Sequence, residues 1–201
     1  MKVYLTDQAK NFPKYLEFLK RQEIIKYDLS KLKEKITTIK IDAGKSLTDL
    51  NTDFFFDYKI FPSNILTFLA QWTYEKRKMQ IGDTIVQQAL IPPFRHFSQK
   101  IVFGVRINEI INEPTKIGFS YGTIKGHVEM GKSIFTIEKT DSANTIFKIH
   151  TFSKPGNKLT QLLGPMFSLP YQTFCTRQAL RSVKRKLEGQ LVNQKECKQL
   201  T

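Results

Sequence analysis

The pattern that most restricts this chain is a train of short alternating segments ending in one amphipathic helix. Ile101, Phe103, Val105 and Ile107 alternate with Val102, Gly104, Arg106 and Asn108, the period-two signature of a strand with two unlike faces. Phe119, Tyr121 and Thr123 repeat it, then Phe135 and Ile137, then Phe147, Ile149 and Thr151, with Asp141 to Asn144 placed to turn the last pair. Strands at such short spacing pair antiparallel, because a parallel return needs a long crossover. A helix is expected from about Leu169 to Leu191. It sets Cys175, Ala179, Val183 and Leu187 on one side and Arg177, Arg181, Lys184 and Arg185 on the other. That apolar stripe must be buried, and the sheet is the only large apolar surface on offer. The expected fold is α+β, a curved antiparallel sheet wrapped around a long C-terminal helix.

Upstream, the pattern predicts more helix. Phe12, Tyr15, Leu16, Leu19, Ile24 and Ile25 recur near the 3.6-residue period between Gln8 and Lys35, and Leu29 and Leu32 suggest a second short helix. Residues 1–50 are therefore expected as a helical extension packed on a core domain of residues 51–195, with Ile41 to Asn51 as the connection. Phe54, Phe56 and Tyr58 alternate with Phe55, Asp57 and Lys59 and predict a strand. Pro62-Ser63-Asn64 can open a helix carrying Leu66, Leu69, Ala70 and Trp72. Thr84 to Ile91 predicts another strand, stopped by Pro92-Pro93.

The chain has 201 residues, enough to bury a real core, and its sixteen Phe residues suit half-buried sheet faces. Met1 to Phe12 lacks the apolar stretch of a signal peptide. The longest uncharged run, Leu159 to Thr176, is broken by Gly164, Pro165 and Pro170, which argues against a membrane span. Cys175 reads as a core thiol and Cys197 as a free thiol near the end of the chain, so a reduced cytoplasmic setting is expected. A net charge of +14 attracts polyanions. The charge is spread widely with no RNA-binding motif or Arg-rich tract, so specific nucleic-acid binding is not expected.

Four of the ten glycines fall between Gly118 and Gly131. Such density implies tight turns or close backbone approach. Within it, His127 and Glu129 point the same way in an extended chain. They form either a site, with His127 as a base and Glu129 orienting it, or a hairpin loop satisfying its own backbone. His96 and His150 do not join His127 in a local metal pattern, and no metal or cofactor is expected. Phosphate-loop, dinucleotide and nucleophile-elbow patterns do not occur.

The run Gly118-Phe119-x-Tyr121-Gly122-Thr123-Ile124-x-Gly126-His127-x-Glu129-x-Gly131, then Phe135-x-Ile137-Glu138 and Thr151-Phe152-Ser153-Lys154-Pro155, resembles a family known only as a domain of unknown function. Trp72, Gly82, Gly164-Pro165 and the basic C-terminal helix fit the same order. The resemblance runs from about Phe54 to Leu187. Lys132 and Lys154 depart from it, standing where relatives carry an acid and an arginine. It implies membership of the START-like helix-grip proteins, most of which enclose an apolar cavity between sheet and helix.

On that basis the leading expectation is binding of a hydrophobic or lipid-like molecule, with Trp72, Phe103, Tyr121, Thr123, His127, Glu129, Phe135 and Phe147 as the candidate lining. A hydrolase or cyclase using His127 and Glu129 is the alternative. A third reading is an anionic membrane surface or nucleic acid bound through Arg177, Arg181, Lys184 and Arg185.

Overall fold

The computed structural model describes residues 2–42, 46–91, 98–140, 144–155 and 171–189. Eight antiparallel strands form one sheet: β1 (Lys2–Tyr4), β2 (Lys33–Ile41), β3 (Leu66–Ala70), β4 (Thr84–Ile91), β5 (Gln99–Glu113), β6 (Lys116–Thr123), β7 (Glu129–Lys139) and β8 (Thr145–Pro155). Their order is β2-β8-β7-β6-β5-β4-β3, a meander closed at one edge by the early strand β2. β1 lies off this path and pairs with residues 100–102 of β5.

The helices are α1 (Phe12–Lys20), the single turns α2 (Asp53–Phe56) and α3 (Gln71–Tyr74), and the final helix α4 over 171–189. Ala179, Leu180, Val183 and Leu187 of α4 are buried in the main core with Phe119, Phe135, Ile137, Phe147 and Ile149 of the sheet. Each such fully buried side chain beyond alanine contributes about 1.5–3 kcal/mol.

Two hydrogen bonds show that the sheet bends around this helix. Tyr171 Oη donates to the carbonyl of Leu90 in β4 at 2.8 Å, and Lys35 Nζ in β2 donates to Thr173 Oγ1 at 2.8 Å. β2 and β4 are five strand spacings apart, about 24 Å on a flat sheet. One helix end holds both, so the sheet curls toward it. A register shift between Ile107 and Glu109 places a bulge in β5, the device that bends a strand.

The opposite face of β3, β4 and β5 is covered by α1. Phe12, Leu16 and Leu19 pack there on Val86, Val102 and Ile124 as a second, smaller core. Arg106 Nη2 donates to the carbonyls of Leu19 and Lys20, at 2.9 Å each, and so satisfies the end of α1.

Three local expectations are corrected. Helix in the N-terminal region covers Ala9–Lys20 only; Leu29–Lys31 is a 3-10 turn, and Lys33 to Lys35 already belong to β2. Phe54 to Tyr58 is not a strand but one helical turn closed by Tyr58 in a left-handed conformation (φ 62°), which folds four aromatic rings inward instead of splitting them over two faces. Leu66 to Ala70 is not helix but β3, paired along its length with β4; helix starts only at Gln71. Pairing with the buried strand β4 overrides a spacing that suits either structure. The expected turn at 141–143 and the helix limits at 169–170 and 190–191 lie outside the described residues.

Candidate functional site

The interior between sheet and α4 has two unlike ends. Toward the end of α4, the rings of Phe55, Phe119, Phe135 and Phe147 pack against one another, with Phe55 5.2 Å from Phe119 and 5.8 Å from Phe147, centre to centre. All four are at most 1% exposed, and α2 with the segment after it fills the space between the sheet and the helix. Toward the start of α4 the inner-face side chains are only half-buried: Phe103, Tyr121, His127, Glu129, Tyr171 and Cys175.

These six reach one place for local reasons. Val105 pairs with Thr123 and Ile107 with Tyr121, so Tyr121 and Thr123 share the face of Phe103. Beyond Thr123 the chain turns at Lys125-Gly126, with Gly126 at φ 93° and the N–H of His127 donating to the Ile124 carbonyl at 3.0 Å. That turn lays the His127 ring edge-on against Phe103, 4.3 Å between centres. The main-chain N–H of Glu129 donates to His127 Nδ1 at 2.9 Å, and Thr123 Oγ1 accepts from the N–H of Gly131 at 3.0 Å. Gly131 has no room for a side chain: a methyl group there would meet the Phe152 carbonyl.

Burial sets the protonation states. It raises the Glu129 carboxyl to about 7 and lowers His127 to about 4, against the weaker opposing influence of the Glu129 carbonyl, which accepts from the protonated ring. It raises the Tyr58 and Tyr121 hydroxyls, and pushes Cys175 up to about 11. Near neutrality this end therefore presents neutral hydroxyls, a thiol, a neutral imidazole and one carboxyl that gains or loses its proton easily. Alternation along β7 puts Glu129 on the face of Ser133 and Phe135, the face that carries the core beneath α4.

Of the residues expected to line a site, Phe103, Tyr121, Thr123, His127 and Glu129 come together. Phe135 and Phe147 belong to the packed aromatic end. Trp72, in α3, is 1% exposed in the core, its Nε1 buried without an acceptor among the described residues. His127 is held by the main chain of Glu129, not by its carboxylate, so no carboxylate orients it among the described residues. The neighbours that sequence reasoning missed are Tyr58, Gln87, Ser133 and Tyr171. Gln87 Nε2 donates to the Tyr58 hydroxyl at 2.5 Å, the Tyr121 ring lies 6.2 Å from that of Tyr58, centre to centre, and Tyr121 pairs with Ser133 across β6 and β7. Only Gln87 could have been flagged, as a polar residue amid the apolar run of β4.

On the outer side of α4, Arg177, Arg181 and Arg185 are exposed at four-residue spacing beside the exposed ring of Phe174. Lys184 is not part of that free row: its Nζ donates to the Lys40 carbonyl at 3.0 Å and pairs with Glu188 at 3.3 Å. His96 and Cys197 lie outside the described residues. Among the described residues no three His, Cys, Asp or Glu side chains gather, and no helix is long and apolar enough to cross a membrane.

Comparison with known proteins gives a family without an activity. A curated relative, a UPF0548 protein of Deinococcus radiodurans, is 30% identical over 61 residues, covering 30% of this chain and only 31% of that protein. Among solved structures, the KanY protein superposes with a TM-score of 0.49 at 10% identity, over 78% of this chain and 98% of that one. Major latex-like protein 151 of Panax ginseng gives 0.46 at 12% identity, over 76% and 95%. The family described as "Domain of unknown function (DUF1990)" matches residues 37–182. The chain belongs to that family.

Proposed function

We propose that the protein binds a small, largely apolar molecule at the half-buried end of the interior, between β5, β6, β7 and the start of α4. The observation that carries this reading is the contrast between the two ends. Aromatic rings fill one completely, while at the other Phe103, Tyr121, His127, Glu129, Tyr171 and Cys175 keep accessible surface although they face inward. An apolar wall with a few convergent polar groups is the usual composition of a ligand site. Native mass spectrometry of the purified full chain tests it. A co-purifying small molecule, or stoichiometric uptake of an uncharged fluorescent apolar dye, is expected; neither appearing overturns the reading.

The enzymatic alternative draws less support, since His127 lacks an orienting carboxylate among the described residues. A surface role is favoured by one observation, the exposed row Arg177, Arg181 and Arg185 beside Phe174. It suits an anionic membrane face. Flotation with vesicles containing phosphatidylserine tests it; binding that survives replacement of all three arginines by Gln removes it.

A further inference from the structure

We propose that the ligand carries a protonated amine, and that its ammonium group pairs with the carboxylate of Glu129. This deepens the reading above and rests on it.

Glu129 opens β7 on the face it shares with Ser133 and Phe135, the face turned to the core beneath α4, and its charge acts on Tyr121 and Cys175. Among the described residues no side-chain or main-chain donor bonds to that carboxyl, although its neighbours are well satisfied: Thr123 by Gly131, His127 by the Glu129 main chain, Tyr58 by Gln87. A half-buried carboxylate without a protein donor keeps part of its desolvation cost, and a bound cation offsets it.

The groups that face it leave little choice about the sign of the ligand's charge. Tyr121 from β6, Tyr58 from the turn after α2, and Tyr171 and Cys175 from α4 are neutral, each raised by burial. His127 from the turn is neutral as well. Among the described residues, the lysine on the inner row Ser133, Thr151, Lys35 stands two strands away and donates its ammonium group to Thr173. Among the described residues burial sets the Glu129 carboxyl, no cation of theirs acts on it, and none donates a hydrogen bond to it. A fatty acid or phosphate head group would thus meet a carboxyl and no counter-charge. An alcohol would be tolerated. An ammonium group would supply what the site lacks, and would draw the proton from Glu129 as it bound.

The test uses three probes of equal length below their micellar concentrations, dodecylamine, dodecanol and dodecanoate, titrated calorimetrically into the full chain. The protein's net charge of +14 repels a cationic probe from the surface at large, so any preference for it must be local. At pH 8 dodecylamine is expected to bind at least about ten-fold more tightly than either other probe, the scale of one desolvated charge pair. The preference should shrink several-fold at pH 5.5, where Glu129 is protonated. Glu129→Gln should abolish it, bringing dodecylamine to the affinity of dodecanol in the same variant, and the variant's cooperative urea transition shows that it folds. Equal or tighter binding of dodecanoate, or an amine preference that survives Glu129→Gln, overturns the inference and leaves the interior site standing. Failure of all three probes to bind overturns both.

Discussion

Leu19 of α1 occupies the space that a side chain at Gly104 of β5 would need: a methyl group there would lie 2.8 Å from Leu19 Cδ1. This contact lets the helix lie flat on the outer face of the sheet. A second glycine is more tightly held, since a methyl at Gly118 would come within 2.1 Å of the Phe135 carbonyl oxygen in the neighbouring strand. A leucine tip can yield; a main-chain carbonyl in a paired strand cannot. Gly104→Ala is expected to cost about 1–2 kcal/mol and Gly118→Ala clearly more, about 3 kcal/mol or above. Urea midpoints of the two variants decide the order, and equal losses would contradict it.

The Tyr58 hydroxyl and the Gln87 amide satisfy one another inside the core, at 0% and 3% exposure. Tyr58→Phe strands a buried amide and should cost about 1–3 kcal/mol. Combining it with Gln87→Leu removes both polar partners, so the double variant should recover part of that loss. A double variant less stable than the sum of the two single ones would show that the bond is not what matters there.

His127 and Glu129 impose opposite pH dependences. The Glu129 carboxyl is raised to about 7 in the folded chain from an ordinary value of 4.5, so the folded state binds the extra proton between those values. Its contribution is whole below about 4.5 and is lost as pH rises toward 7. His127 is lowered to about 4 from 6.5, so the unfolded chain takes up the extra proton, and stability rises with pH between 4 and 6.5. The two trends largely cancel in the native chain. Glu129→Gln should uncover the rise and His127→Gln the fall, read as thermal midpoints between pH 4 and 8. Parallel profiles for both variants would refute this pairing.

Burial holds the Cys175 thiol near 11, so little thiolate exists at neutral pH. In a Cys197→Ser background, alkylation of Cys175 by iodoacetamide at pH 8 should be at least about ten-fold slower folded than in urea. A dye bound in the interior should slow it further. Rapid alkylation of the folded chain would place this thiol outside the protected end.

How far the sequence could be read depended on whether one period dominated. In β5, Ile101, Phe103, Val105 and Ile107 share the inner face while Val102, Gly104, Arg106 and Asn108 take the other, so the period of two fits only a strand. In α4, Ala179, Val183 and Leu187 against Arg177, Arg181 and Arg185 allowed only a helix. Leu66, Leu69 and Ala70 satisfied both periods, and the decision fell to their partners in β4, Ala89, Val86 and Ile85. Phe54 to Phe56 are apolar at every position, a composition without direction; what turns them inward is the left-handed Tyr58, and nothing in a tyrosine announces that. At the candidate site, the turn residues His127 and Glu129 were legible from glycine spacing. Tyr58, Ser133 and Tyr171 were not, because strands and a helix remote in the chain bring them in.

The edge strand β2 has a consequence for how the molecule is made. Its partner lies far along the chain: Lys35 accepts a hydrogen bond from Thr151, 116 residues later. The outer edge of β2 is bonded by α4 through Lys184 to Lys40 and Glu188 to Asp42. During synthesis on a ribosome, Lys33 to Ile41 emerge with neither neighbour yet translated, and the domain closes only when its last helix is released. Ile36 and Ile39 spend that interval as an open sticky ribbon, and Lys33, Lys35 and Lys40 on either side of them are the charges that keep nascent copies apart.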